Sequence, residues 1–143
     1  MFPEMIVRPM REELTRVGLE ELRTPKEVDA FLESARAGTA LVAVNSTCGC
    51  AAGSMRPAVA LALREGARPD RLGTVFAGAD AEATARARQH FAPYPPSSPA
   101  VALFRAGELV WMLERKDIQG RHPQEIAREL RAALDRFVKA PAD

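Results

Sequence analysis

The chain has 143 residues, a formal net charge of +1, and 47 % hydrophobic against 27 % charged residues. That length suits one ordinary domain with a buried core, and the balance argues against a disordered or fibrous chain. Near-neutral charge, with Arg and Glu interleaved, excludes the broad basic field of a nucleic-acid binder. No stretch approaches the ~20 apolar residues that span a bilayer. The opening "MFPEMIVRPMREEL" lacks the basic and then apolar regions of a secretory signal. The expectation is a cytoplasmic protein, one domain over residues 1–143, with neither nucleic acid nor membrane as partner.

In chain order, Met10, Leu14 and Val17 share one face of a short amphipathic helix over 9–18, ended by Gly18. "LEELR" (19–23) reads as a short edge strand. "TPKE" (24–27) is a helix start: Thr24 caps, Pro25 suits the first turn and Glu27 completes a capping box. Val28, Phe31, Leu32 and Ala35 continue that helix, and Gly38 stops it. "ALVAVN" (40–45) is a continuous apolar run, as in a strand buried on both faces. Ala52, Met55, Val59, Ala62 and Leu63 then share a helical face up to Gly66, with Pro57 inside the helix and bending it. "LGTVFA" (72–77) is a second buried strand, and Asp80 caps a helix to about His90. "FAPYPPSSPA" (91–100) is an irregular, proline-rich loop. "AVALF" and "ELVWMLE" flank "RAG" as a tight hairpin. "HPQEIARELRAALDRFV" is a last amphipathic helix, with Ile126, Leu130, Ala133, Leu134 and Phe137 as its stripe. The order βαβαβαββα, with an extra N-terminal helix, is an α/β, thioredoxin-like arrangement: a central mixed sheet flanked by helices, its first parallel strands joined by right-handed crossovers.

All the sulfhydryl chemistry sits in "VNSTCGCAAGSMRP", where Cys48 and Cys50 flank Gly49. In a reducing cytosol such a pair points to metal binding or transient redox work rather than a permanent staple. The motif follows a strand and opens a helix. Unpaired N–H groups and the positive dipole end there favour a thiolate. Cys48, one step ahead of the helix, is the expected nucleophile, and Cys50, in the first turn, the resolving thiol. A disulfide across this spacing needs a turn and is strained, so it is easily reduced, and Gly49 gives the intervening backbone freedom.

Other residues carry two readings each. Arg56 stabilises a thiolate or meets an anionic substrate, or it is a solvated surface residue. Ser46 and Thr47 donate to the Cys48 sulfur, or cap the helix. Asn45 is a turn former. Pro99, just ahead of "AVALF", either sits cis against the cysteines, offering backbone hydrogen bonds to substrate, or simply precedes a strand. His90 and His122 are the only histidines and read as capping or surface residues, too few to complete a four-ligand zinc site. Tyr94 and Trp111 read as packing residues, and Met112 carries no functional signal. No resident metal or cofactor is expected.

Taken together, "PMREELTRVGLEEL", "VNSTCGCAAGSMRP" and "FAPYPPSSPAVALFRAGELVWMLERKDIQGR" resemble the bacilliredoxin family, small bacterial thioredoxin-like proteins with a CGC motif; the likeness runs from about Met5 to Phe137. The resemblance implies reduction of mixed disulfides between cytosolic proteins and bacillithiol, a low-molecular-weight thiol acting as co-substrate. On that model Cys48 takes the bacillithiol sulfur and frees the client, and Cys50 or a second bacillithiol clears the enzyme. Gly49, Pro99 and Arg56 are then the substrate-binding candidates, Arg56 or an arginine brought near by folding meeting the carboxylates of bacillithiol. The threonine ahead of the motif is a minor departure. The competing readings are a general protein disulfide isomerase or oxidant, and a protein that carries a soft metal on two thiolates or serves as an adaptor.

Overall fold

A computed structural model describes residues 2–138. Its elements in chain order are α1 (Glu4–Thr15), β1 (Glu20–Glu21), α2 (Pro25–Ser34), β2 (Thr39–Asn45), a π-turn (Ala51–Met55) leading into α3 (Arg56–Glu65), β3 (Arg71–Phe76), α4 (Ala81–Gln89), β4 (Ala100–Arg105), β5 (Glu108–Leu113), α5 (Arg115–Ile118) and α6 (Pro123–Phe137). The strands form one sheet in the order β1-β3-β2-β4-β5. β1, β2 and β3 are parallel, and β4 and β5 run antiparallel to their neighbours. No helix among the described residues is long and apolar enough to cross a membrane.

Every residue of β2 is buried, as its continuous apolar run requires. Its side chains alternate between two cores. Leu41 and Ala43 join the cluster with Leu14 of α1, Val59 of α3 and Leu130 of α6. Ala40, Val42 and Val44 join Val28 and Phe31 of α2 with Ala83 and Ala87 of α4. Each fully buried Leu, Val or Phe contributes about 1.5–3 kcal/mol, so both faces hold the central strand rigidly. Gly73 in β3 has a steric reason: a Cβ there would come within 2.9 Å of both Leu22 and Phe31.

Local signals read in the sequence recur as geometry. Thr24 accepts from the Glu27 N–H while the Glu27 carboxylate accepts from the Thr24 N–H. The hairpin turns through Ala106 and Gly107, both at positive φ, which matches the twist of the flanking strands.

Three expectations are corrected. The first helix spans 4–15 rather than 9–18 and carries Pro9 inside it; Pro9 lies on the exposed side, where water can serve the carbonyl its ring leaves unpaired. Ala52 is exposed rather than on the apolar face. Pro57 has no N–H for the usual ladder, and the turn ahead of it widens so that the Arg56 N–H reaches the Ala51 carbonyl. Pro57 thus opens α3 in its first turn, and Ser54 turns inward in place of Ala52. The short helix α5 was not anticipated.

Asp80 precedes α4 but makes no side-chain cap. Its carboxylate instead receives the Arg11 guanidinium at 2.6 and 3.2 Å. Arg11 is buried, also bonds Glu21 at 2.8 Å, and lies over the Phe76 ring at 5.2 Å. One guanidinium thus ties α1 to β1, β3 and the start of α4. Removing one partner of a buried pair leaves the other uncompensated and costs roughly 3–5 kcal/mol. Arg11→Met should lower the urea-unfolding free energy by about that amount, and adding Asp80→Asn, which removes a stranded charge, should restore part of it.

Candidate active site

The carboxyl ends of β1, β2 and β3 share one edge of the sheet, the usual place for a site in such a fold. Val44 near the end of β2 pairs with Ala100 at the start of β4, and Val101 pairs with Leu113 at the end of β5. Three segments therefore meet there: the cysteine loop after β2, Pro99 ahead of β4, and Arg115 just after β5.

Cys48 accepts the first helical bonds, from the N–H groups of Ala51 and Ala52 to its carbonyl at 3.1 and 3.2 Å, so it caps the helix that Cys50 enters. Both are free thiols, half-buried against the α3–α6 core. The Ser46 hydroxyl accepts from the Cys48 N–H at 3.3 Å and donates to the Cys48 sulfur at 3.1 Å. Burial pushes the Cys48 thiol up, but the Ser46 hydroxyl, the Ala51 N–H and the Cys50 thiol outweigh it, and the net direction is downward. Cys50 moves the other way, raised by burial, by its hydrogen bond to Cys48 and by the negative charge there, with Arg115 pulling it down. The pair is electrostatically unequal, with Cys48 the sulfur that ionises first.

Behind Ser46 stands Arg56. Neither surface reading of that residue matches its position, because it is only 3 % exposed. Its guanidinium donates to the Asn45 side-chain oxygen at 2.8 Å and to the Ser46 carbonyl at 2.9 Å, with Glu13 of α1 at 3.2 Å. Asn45 in turn accepts from the Ser46 N–H and donates to the Met10 carbonyl. Asn45 is thus no mere turn former: with Arg56 it fixes the backbone that presents Ser46 to Cys48.

Pro99 follows a cis bond from Ser98, and Pro93 follows a second one. Gly49 is not at positive φ, and a Cβ there would meet nothing within 4 Å, so its side is open to an approaching molecule. Among the described residues the hydroxyl that donates to the Cys48 sulfur is that of Ser46, not Thr47. His122 caps α6, accepting from the Gln124 N–H, and His90 ends α4 beside Asp29. Neither reaches the cysteines, and among the described residues no group of three or more His, Cys, Asp or Glu converges. Trp111 and Met112 are half-buried against opposite cores, while Tyr94 is exposed rather than packed. A cavity of 300 Å³ lined by Leu32, Arg86, His90 and Phe104 contains neither cysteine.

The family model described as "Disulphide isomerase" matches residues 2–138. A Bacilliredoxin from Salinibacter ruber is 52 % identical over 99 % of this chain and 86 % of its own. The chain belongs to the bacilliredoxin family. Another Bacilliredoxin, from Koribacter versatilis, is 49 % identical over 99 % of this chain and 97 % of its own. Among solved structures, a mutant thioredoxin from Halobacterium salinarum superposes with a TM-score of 0.60 at 12 % identity, covering 88 % of this chain and 96 % of that one. A Fasciola hepatica thioredoxin gives 0.57 at 16 % identity, over 83 % and 99 %. The fold is therefore thioredoxin-like, and family and fold together support a thiol–disulfide oxidoreductase.

The depressed thiol predicts an ordered alkylation. Iodoacetamide should modify Cys48 first, with a pH midpoint below that of a free thiol, because a lowered value leaves more thiolate at any given pH. Ser46→Ala removes a donor to the thiolate and should move the midpoint up and slow labelling at neutral pH. Arg56→Met should do the same through the loosened loop, and retention of cooperative unfolding would show that the shift is local.

Proposed function

We propose that this chain reduces mixed disulfides between cytosolic proteins and bacillithiol, working in the cytoplasm with Cys48 as nucleophile and Cys50 as resolving thiol. The observation that carries the reading is the inequality of the two sulfurs: Cys48 is held toward thiolate by Ser46 while Cys50 is held protonated beside it.

In the first step the Cys48 thiolate attacks the small-thiol sulfur of the mixed disulfide. A bond forms between Cys48 and that sulfur, the bond to the client breaks, and the client leaves as a thiolate that takes a proton from water. In the second step the Cys50 thiolate attacks the Cys48 sulfur and expels the small thiol, leaving a disulfide between residues 48 and 50. The mixed disulfide has then gained two electrons, shared between the client thiol and the small thiol, and the enzyme has lost two. Two molecules of free small thiol, themselves oxidised to a disulfide, return the enzyme to its dithiol form. Alternatively one small thiol clears Cys48 directly and Cys50 is bypassed. Gly49 gives the substrate an uncrowded approach, and the backbone at Pro99, at the same sheet edge, offers hydrogen bonds to an extended client segment. Arg56 acts from behind as a positioning residue.

The family description favours a second reading, isomerisation of protein disulfides. One preparation offered both a bacillithiolated protein and a scrambled disulfide protein separates them: rapid release of bacillithiol with little refolding supports the first.

The roles of the two cysteines are tested by trapping. Cys48→Ser should lose reaction with a bacillithiolated protein altogether. Cys50→Ser should retain the first step and accumulate the adduct on Cys48, visible by intact-mass spectrometry as one bacillithiol per chain. An adduct of equal yield on Cys50 in the Cys48→Ser variant would reverse the assignment.

A further inference from the structure

The cations that the fold gathers around the dithiol are not equivalent. Arg56 faces Glu13 at 3.2 Å, Lys116 faces Glu114 at 3.6 Å, and Arg121, whose carbonyl accepts from Ser54 beside the cysteine loop, pairs with Glu129. Each of these charges is offset by a carboxylate. Arg115 is the exception. It is exposed, and its guanidinium donates to two neutral acceptors, the Ser98 carbonyl at 3.2 Å and the Gln119 side-chain oxygen at 3.3 Å. Among the described residues no carboxylate neutralises it.

Its position is built rather than incidental. The Arg115 N–H donates to the Ser97 hydroxyl at 2.6 Å, so backbone and guanidinium together grip the two residues ahead of Pro99. The strand pairing that brings the end of β5 beside β4, and β4 beside β2, sets this grip at the sheet edge that carries the cysteines. Its charge reaches the Cys50 sulfur. A guanidinium presents five donors in a planar fork that matches a carboxylate, and among the described residues one whole nitrogen, Nη2, has no acceptor.

We propose that Arg115 is a substrate-specificity residue that binds a carboxylate of the small-thiol moiety, so that the enzyme prefers mixed disulfides of anionic thiols over neutral or cationic ones. This rests on the proposed reduction of small-thiol mixed disulfides and deepens it. The carboxylate docks on Arg115 while its sulfur lies before Cys48. The interaction exists in the bound state and strengthens substrate binding, so it acts chiefly on KM. An exposed ion pair of this kind is screened by salt.

The test uses the full chain and one reporter protein with a single cysteine, loaded in turn with mercaptosuccinate, 2-mercaptoethanol or cysteamine, which carry negative, neutral and positive groups. The wild type should show the lowest KM for the mercaptosuccinate adduct, and the gap should narrow at high salt. Arg115→Gln should raise KM for that adduct by roughly 5–10-fold, the tenfold end being the 1.4 kcal/mol of one charge-assisted contact, while KM for the hydroxyethyl adduct and kcat for both stay within about twofold. Arg115→Lys should recover part of the preference, and Arg115→Glu should shift it toward the cysteamine adduct. Wild-type turnover without charge preference, or an equal loss on all three adducts in Arg115→Gln, overturns the assignment to Arg115 and leaves the reductase reading standing. Failure of the wild type to cleave any adduct, with Cys48 still open to alkylation, overturns the reductase reading and this proposal with it.

Discussion

The grip of Arg56 on the end of β2 is the constraint from which the site follows. A thiol next to a helix start gains little if its loop wanders, because a hydrogen bond to sulfur works only within a few tenths of an ångström and along one direction. Asn45 and Ser46 are both buried, and their polar groups need partners that water cannot supply. Arg56 supplies them, bonding the Asn45 side chain and the Ser46 carbonyl at once. The Asn45 oxygen is left to hold the Ser46 N–H, and the Ser46 hydroxyl is left to face Cys48. A charge that could have served the surface is spent inside, where hydrogen bonds to an ionised group are about twice as strong as neutral ones.

That arrangement makes the N-terminal helix part of the site. The Asn45 amide donates to the Met10 carbonyl, and Glu13 balances Arg56. Arg11, the residue after Met10, holds the same helix to Asp80 and Glu21. Helix α1 therefore closes the carboxyl edge of the sheet from behind and sets Glu13 against the buried Arg56 guanidinium there. Without α1, Arg56 would face solvent and its bonds to the loop would compete with water. The extra element thus belongs to the mechanism through the charge it brings to the back of the loop.

Much of the scaffold was legible because its signals are local. The Thr24–Glu27 cap, the apolar run of β2 and the Ala106–Gly107 turn each depend on a handful of neighbouring residues. The cysteines were legible for the same reason, since a strand, two thiols and a helix start follow one another directly. What stayed hidden depends on distant partners. Arg11 and Arg56 look like solvated residues by their charge; they are buried because Asp80 lies 69 residues beyond the first and Asn45 11 residues before the second. Pro9 reads as a helix start and Pro57 as a bend within a helix, yet the chain carries Pro9 inside α1 with an exposed carbonyl and meets Pro57 with a π-turn that lets it open α3. The contribution of Arg115 required the antiparallel pairing of β5 with β4, which no window of sequence displays.

In the proposed mechanism the unequal sulfurs also supply a timing device. In the resting dithiol, Cys50 is kept protonated by burial, by its hydrogen bond to Cys48 and by the negative charge on that sulfur. A protonated Cys50 does not compete for the substrate, and its thiol donates to Cys48, which helps the nucleophile ionise. Once Cys48 has joined a small-thiol sulfur, its negative charge is gone and so is its appetite as an acceptor. Of the effects that held the proton on Cys50, burial remains, while the hydrogen bond to Cys48 and the charge on that sulfur are lost. The balance moves toward the thiolate at the stage when a resolving attack is needed. On that proposal attack by Cys48 is what arms Cys50, and the order of the two steps follows from charge alone, without any movement of the backbone that Arg56 holds in place.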